Sequence, residues 1–330
     1  MKIAVVGLGA VGGLLAAKLA RVGHEVSGLA RGATLAAIRE HGLRLTMAGA
    51  ETTSAISASD DVRALGPQDL VIVALKGQAL AAAAQTMQAL LGPNTLVMPA
   101  MNGVPWWFLQ TAPASTGLGD RSLPSVDPDG RIAALLPLER VLGCVVHLTC
   151  SSPAPGVIRH GFGDRLIVGE PGGGASMRVD SVCAALAQAG FKCEASADIR
   201  QDIWFKLWGN MTMNPLSALT GATTDHILDD PLVHAFILRT MEEAARIGAR
   251  IGCPIAQSGE ARMALTRQLG GFKTSMLQDT EAGRTIELDA LVGAVHEIGN
   301  RLDVAMPNIG ALLGLCRLMA RERGLYPRPG

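Results

Sequence analysis

Three polar side chains recur at a fixed spacing in the very apolar segment IWFKLWGNMTMNPLSALTG. Lys206, Asn210 and Asn214 are four residues apart, so a helix places them along one side. An ammonium can donate a proton to an oxygen that gains negative charge, and amides can hold the polar groups of a ligand. A line this narrow favours a cleft, because asparagine is a poor choice for an exposed helix face. The alternative is a partly exposed helix edge from which Lys206 extends into solvent.

A second group of chemically useful residues opens the chain, where a glycine-rich turn joins a predicted strand to a predicted helix. Residues 3–6 form a fully apolar run, typical of a strand buried on both faces. The turn that follows is Gly7, Leu8, Gly9, Ala10, Val11 and Gly12. A helical pattern ends at Gly23, and a second strand is predicted from residue 25 to residue 30. This order predicts a dinucleotide-binding βαβ unit, with the pyrophosphate at the helix N-terminus.

Arg31 stands at the end of the second predicted strand and bears on the choice of cofactor. Folds that bind NAD usually place Asp or Glu there to hold the ribose hydroxyls. A guanidinium can instead bind a 2′-phosphate through paired hydrogen bonds, so this position favours NADP. A solvated surface arginine is the alternative.

Two further predicted strands end in polar residues. Residues 70–75 run into Lys76, and residues 96–98 run towards Asn102. Ligands of doubly wound sheets bind at the carboxyl ends of the strands, so both side chains are expected beside the cofactor, although either could be an ordinary loop residue. Residues 105–140 form a Pro-, Ser- and Gly-rich insertion, interpreted as a mobile flap near the active site or as a disordered segment.

The remaining pattern divides the chain into two domains. A strand at 141–149, a two-stranded hairpin at 156–168, a helix around 184–189 and a strand near Lys192 complete an N-terminal Rossmann-type doubly wound α/β domain, residues 1–197. Strand signals almost disappear from residue 198, so residues 198–330 are predicted to form an all-helical domain.

The helical domain carries a second polar segment. Ser275 and Asp279 are one helical turn apart, Gly283 permits a break, and Glu287 opens the next helix. A carboxylate in the first turn is favoured by the helix dipole alone, so physics by itself explains Glu287 as a helix-start residue. The tryptophans of the chain lie close in sequence to Asn102 and Lys206 and suggest an apolar wall around the chemistry, with ordinary core packing as the alternative. They are Trp106, Trp107, Trp204 and Trp208.

Composition excludes several classes of partner. Lys plus Arg and Asp plus Glu number 29 each, so no overall charge attracts the chain to nucleic acid or to a membrane surface. No stretch reaches the roughly 18 uncharged apolar residues of a membrane span, and the early glycines argue against a secretory signal. Six scattered cysteines without a CxxC pair indicate no metal site and no disulfide framework, and favour a reducing cytoplasm. A homodimer is left open.

Together these segments resemble the ketopantoate reductase (2-dehydropantoate 2-reductase) family over essentially the whole chain. The motifs on which the resemblance rests are GLGAVGG with Arg31, the LK that ends at Lys76, MNG at Asn102, KLWGNMTMNPLSALTG, and SMLQD followed by ELD. The glycine motif occurs in many folds, whereas the last two motifs are specific. The resemblance implies reduction of a 2-oxo acid by NADPH, with ketopantoate to pantoate serving pantothenate and coenzyme A synthesis.

The resemblance also implies residue roles. Lys206 would donate the proton to the carbonyl oxygen, and Glu287 would lie near the substrate hydroxyl and the nicotinamide ribose. Arg31 would bind the 2′-phosphate, with the glycine turn and Lys76 on the rest of the cofactor. The substrate would be held by Asn102, Asn210, Asn214 and Ser275, and Asn102 would also approach the cofactor.

The chain departs from the family pattern at the predicted substrate pocket. Some members have Asn where this chain has Phe272 and Thr224, and the tryptophan pair and insertion after Asn102 are unlike compact members. These departures leave the reaction class intact and keep another 2-oxo acid open as the substrate. A non-catalytic NADPH-binding sensor is a separate alternative, against which Lys206 and Glu287 argue, because a sensor needs no proton donor. A 3-hydroxyacid dehydrogenase of similar build is a further rival, against which Arg31 and the SMLQD motif argue.

Overall fold

The computed structural model describes residues 1–328 and divides into two units. One unit comprises Met1–Met101 with Asp129–Asp202 and contains both sheets. The other comprises Asn102–Pro128 with the described residues from Ile203 onward. All of its regular secondary-structure elements are helices. The α/β class, with a Rossmann-type sheet and a helical C-terminal part, is confirmed.

The first unit holds all the strands of the described chain. They are β1 (Lys2–Val6), β2 (Glu25–Leu29), β3 (Leu43–Met47), β4 (Ala50–Ser54), β5 (Ser57–Ser59), β6 (Gln68–Val73), β7 (Leu91–Pro99), β8 (Gly143–Ala154), β9 (Val157–Gly169) and β10 (Lys192–Ser196). Its helices are α1 (Ala10–Arg21), α2 (Gly32–His41), α3 (Gly77–Met87), α4 (Arg131–Leu135) and α5 (Met177–Gln188).

The first sheet is parallel throughout and has the order β5-β2-β1-β6-β7. Its central strand, β1, is fully buried from Ile3 onward, as the apolar run predicted, because helices cover both faces of such a sheet. Leu14, Leu15 and Leu19 of α1 belong to the same core. The chain leaves α1 through Gly23, whose φ of +89° suits a residue without a side chain.

The second sheet has the order β10-β9-β3-β4, with β8 paired to β9. The predicted hairpin at 156–168 is wrong, because this segment is the single long strand β9 and its antiparallel partner is β8. Gly163 has a φ of +79°, but the chain does not reverse there, and the pairing only shifts register. The actual turn is at Gly156, with a φ of +70°.

The helical unit is built from one long helix and its neighbours. Its elements are α6 (Ile199–Thr220), which begins at the end of the first unit, α7 (Thr224–Asp229), α8 (Pro231–Arg250), α9 (Gly259–Gln268), α10 (Ser275–Glu281), a π-helical turn (Asp289–Gly293), α11 (Ala294–Arg301) and α12 (Pro307–Glu322). No helix within residues 1–328 is both long and apolar enough to cross a membrane.

The prediction placed residues 1–197 in one domain, whereas residues 102–128 belong to the helical unit. The physical reason is aromatic packing: Phe108 is fully buried and stacks on Trp204, with ring centroids 5.9 Å apart. Arg301 donates to the carbonyl of Ser122 at 2.7 Å, and Glu297 accepts from the amide of Ser125 at 2.8 Å. This part of the insertion is therefore anchored in the helical unit, and the flap hypothesis stays a prediction.

Candidate active site

Two glycines of the first turn are required by close approach. Gly7 has a φ of +98°, and a Cβ there would lie 2.7 Å from the carbonyl oxygen of Ala74. A Cβ on Gly12 would overlap the carbonyl oxygen of Gly7. A side chain at either position would push the start of α1 away from β1 and β6, so these glycines hold the turn closed.

The middle glycine of the turn leaves room for a ligand. A Cβ on Gly9 would have no heavy atom of residues 1–328 within 4 Å. Gly9 is also the N-cap of α1 and has no side chain to bond the first amides of the helix. Those amides lack partners within the helix and carry its positive dipole end, so the turn fits a dinucleotide pyrophosphate. Leu8 is buried under Gly28, and Ala10 and Val11 begin the helix.

Two cationic residues follow the two strands that flank β1 in the first sheet. Arg31 is exposed and stands at the N-cap of α2, just after β2. Lys76 is half-buried and stands at the N-cap of α3, just after β6. Because β2, β1 and β6 are adjacent and parallel, both residues lie at the edge that carries the glycine turn. This edge therefore has the positive charge that a phosphorylated cofactor needs.

In the helical unit, the structure joins two of the predicted site residues directly. The ammonium of Lys206 on α6 donates a hydrogen bond to Oδ1 of Asn102 at 2.8 Å, although the residues are 104 positions apart. Both side chains are half-buried. The amide thus holds the ammonium in one orientation, which a proton donor requires.

The other two amides of the line lie on the same helix. Asn210 is half-buried and Asn214 is 6% exposed. Within residues 1–328 neither side chain makes a hydrogen bond to another protein group. Neither amide is among the buried side-chain atoms that lack a partner, so both keep some access to solvent and can hydrogen-bond a polar ligand.

Asn102 is positioned by a close contact with the π-helical turn. Gly103 has a φ of +86°, and a Cβ there would lie 2.5 Å from the carbonyl oxygen of Ala290. The amide of Val104 donates to that same oxygen at 2.8 Å. Glu287 is half-buried and lies just before this turn. The loop of Asn102 is therefore fixed to the π-helical turn that follows Glu287.

Replacing Gly103 by alanine is expected to lower kcat by about 100-fold, because displacing a positioned group by about 1 Å has effects of that size. The added methyl overlaps Ala290, so Asn102 moves away from Lys206. Gly117→Ala is the matched control: its φ is +70°, but its Cβ would meet no described atom within 4 Å. If both variants lose the same activity, backbone strain and not the position of Asn102 is responsible.

Ser275 and Asp279 belong to α10, as predicted. Ser275 is the first residue of this helix and is exposed, while the hydroxyl of Thr274 caps the helix by accepting from Leu277. Asp279 forms an ion pair with Arg284 at 2.8 Å, and Gly283 breaks the helix with a φ of +64°. The substrate-binding role of Ser275 stays a prediction.

The two positions that depart from the family pattern form one hydrogen-bonded unit. Thr224 is completely buried, donates to the carbonyl of Gly270 at 3.0 Å and accepts from the amide of Phe272 at 3.1 Å. Its own amide donates to the carbonyl of Phe272 at 3.2 Å. Thr224 thus holds the loop before α10, and Phe272, which is half-buried, is the member of the pair that a ligand could touch.

Sequence reasoning missed one polar side chain near this line, Arg262 of α9, which lies over Gly209 of α6. The available signal was Gly209 itself, since a glycine inside a helix destabilises it by about 1 kcal/mol and often marks a close approach. Among residues 1–328 no group of three or more His, Cys, Asp and Glu side chains could hold a metal ion.

A Rossmann-type unit with a phosphate-binding turn, and a helical unit in which an amide holds an ammonium, define the class of nicotinamide-dependent oxidoreductases. Comparison with known proteins narrows this class. Residues 3–107 match the family model "Ketopantoate reductase PanE/ApbA", and residues 198–320 match "Ketopantoate reductase PanE/ApbA C terminal".

Relatives match along the whole chain. The 2-dehydropantoate 2-reductase of Mesorhizobium japonicum is 43% identical over 99% of this chain and 100% of its own length. The crystal structure of a candidate ketopantoate reductase from Ralstonia solanacearum MolK2 has a TM-score of 0.94 at 58% identity, covering 98% of this chain and 99% of the other. The 2-dehydropantoate 2-reductase of Methylococcus capsulatus has a TM-score of 0.83 at 27% identity, with 98% of both chains covered. This chain belongs to the ketopantoate reductase family, as its motifs predicted.

Proposed function

We propose that this oxidoreductase reduces 2-dehydropantoate to pantoate with NADPH, as a step of pantothenate and coenzyme A synthesis. The observation that carries the proposal is the hydrogen bond between Lys206 and Asn102. Lys206 lies on α6, the helix that also carries Asn210 and Asn214, whose amides make no hydrogen bond to another described protein group. A 2-oxo acid offers a carbonyl oxygen to the ammonium and further polar groups to the amides. Membership of the family supports the same substrate.

The reaction moves a hydride to the C2 carbonyl carbon and a proton to its oxygen, so a 2-oxo acid, a hydride and a proton become a 2-hydroxy acid. NADPH supplies the hydride when it is bound. Lys206 stabilises the negative charge that develops on the oxygen and donates the proton, and it regains a proton from solvent afterwards. Asn102 keeps the ammonium directed, since its carbonyl accepts one of the three N–H groups.

The remaining predicted residues divide between cofactor and substrate. Gly7–Gly12 would bind the pyrophosphate, and Arg31 and Lys76 would bind the phosphates at the positive edge of the sheet. Asn210, Asn214 and Ser275 would hold the substrate, with Glu287 near its hydroxyl and the nicotinamide ribose. In this role Asn214 gains the hydrogen bonds that it lacks within the described protein.

The test is a steady-state assay of NADPH oxidation with ketopantoate beside a panel of 2-oxo acids, including 2-oxoisovalerate, which lacks its hydroxymethyl group. We expect the highest kcat/KM for ketopantoate, and a lower value with NADH. Efficient reduction of another acid, with ketopantoate inert, would replace the substrate and direct attention to Phe272. Tight NADPH binding without turnover of any acid would favour the sensor alternative.

Three further expectations concern the partners and the location of the protein. A small molecule is the expected substrate, while a homodimer and a cytoplasmic location stay predictions. Light scattering on the purified chain measures the mass of the assembly and tests whether the protein is a homodimer.

A further inference from the structure

A cationic side chain that the proposed mechanism does not use lies beside the Lys206 line. Arg262 of α9 reaches across α6 at Gly209, where a Cβ would lie 3.0 Å from both Nε and Nη2 of the guanidinium. Any larger residue at position 209 would displace it. The absence of a side chain at Gly209 therefore permits the guanidinium to lie against the helix backbone.

The guanidinium has no counter-ion in the part of the chain that the structure describes. Its Nε is buried without a hydrogen-bond partner, and no described carboxylate lies within 4 Å of its nitrogens. Its Cζ lies 5.4 Å from the ring centroid of Phe205, so an aromatic face and not a carboxylate borders the cation. Burial lowers the pKa of Arg262 from its usual value. Such a cation destabilises the fold unless it binds an anion.

The position of Arg262 relates it to the chemistry of Lys206. Gly209 is three residues after Lys206 and next to Asn210. Side chains three apart are neighbours on a helix, with about 5–6 Å between their Cβ atoms. Phe205 and Gly209 thus border the same side of α6 as Lys206. An anion bound to the guanidinium would lie next to a carbonyl oxygen bound to the ammonium.

A 2-oxo acid has this arrangement of groups, because its carboxylate carbon is bonded directly to the carbonyl carbon. We propose that Arg262 binds the substrate carboxylate, an inference that rests on the proposed function. The planar guanidinium can bind both carboxylate oxygens, and it sets the orientation in which the carbonyl oxygen meets Lys206. Arg262 is therefore the residue that selects acids over their neutral derivatives.

The test compares ketopantoate with its primary amide in the wild-type enzyme and in Arg262→Met. In the variant we expect KM for the acid to rise about 10- to 100-fold, because the carboxylate loses one or two charge-assisted hydrogen bonds. We expect kcat to change much less, and the preference for acid over amide to disappear. Arg262→Lys should keep part of that preference, because it retains the charge. The matched control is Arg267→Met on the same helix, whose arginine is exposed and paired with Asp229.

The thermal midpoint separates this role from a structural one. A desolvated cation without a partner does not stabilise the fold, so Arg262→Met should melt at the same temperature as the wild type or higher. A lower midpoint with unchanged KM and acid preference would overturn the inference and leave the proposed function intact. A wild-type enzyme that reduces no 2-oxo acid would overturn both.

Discussion

Replacing Lys206 by alanine is expected to lower kcat by about 10²- to 10⁴-fold, the usual contribution of a positioned proton donor. The variant loses the ammonium and its 2.8 Å bond to Asn102, so the carbonyl oxygen gains charge without a donor. NADPH affinity should stay close to that of the wild type, since the phosphate-binding turn belongs to the other unit. Steady-state kinetics with ketopantoate and a fluorescence titration with NADPH measure the two quantities.

The matched control for this variant is Lys192→Ala. Lys192 is exposed on β10, where it forms an ion pair with Asp164 at 3.3 Å, and its loss should leave kcat unchanged. A Lys206→Ala enzyme with nearly normal turnover would remove Lys206 from the mechanism. Loss of NADPH binding together with turnover would instead indicate damage to the fold.

Replacing Arg31 by alanine is expected to weaken NADPH binding far more than NADH binding. Each charge-assisted hydrogen bond to the 2′-phosphate contributes about 1.5–3 kcal/mol, so the dissociation constant for NADPH should rise roughly 10- to 150-fold per bond. NADH has no 2′-phosphate, and its affinity should change little. Isothermal titration with both cofactors measures the difference.

Arg39→Ala serves as the control, because Arg39 is an exposed arginine of the same helix, α2, and faces Asp60 at 3.9 Å. It should affect both cofactors equally and weakly. An equal loss of NADPH and NADH affinity in Arg31→Ala would contradict the assignment of Arg31 to the phosphate.

Local patterns predicted the parts of the fold that depend on local chemistry. The apolar strand, the glycine turn and α1 follow from residues adjacent in sequence, because only certain residues permit that geometry. The second sheet was missed, since β3 pairs with β9 and their residues are more than 100 positions apart. The same limit applies to residues 102–128, whose place depends on Phe108 meeting Trp204.

The candidate site was predictable where helical spacing carries the information. The four-residue spacing of Lys206, Asn210 and Asn214 predicted their common helix, but only the structure shows that Asn102 reaches Lys206. Gly209 marked a close approach to α6, but the sequence did not identify Arg262 as the residue that approaches, because its lack of a partner is visible only in three dimensions. The sequence placed Thr224 in the predicted substrate pocket. In the structure Thr224 is completely buried, and its hydroxyl accepts a hydrogen bond from the backbone amide of Phe272.

The most direct test of the account uses NADPH that carries deuterium at the transferable C4 position. Incubation with ketopantoate and the wild-type enzyme is expected to give pantoate with one deuterium at C2, detected by mass spectrometry, because the hydride comes from the cofactor and the proton of Lys206 goes to oxygen. Pantoate without deuterium, or oxidation of NADPH without formation of pantoate, would contradict the central claim that this chain transfers a hydride to a 2-oxo acid.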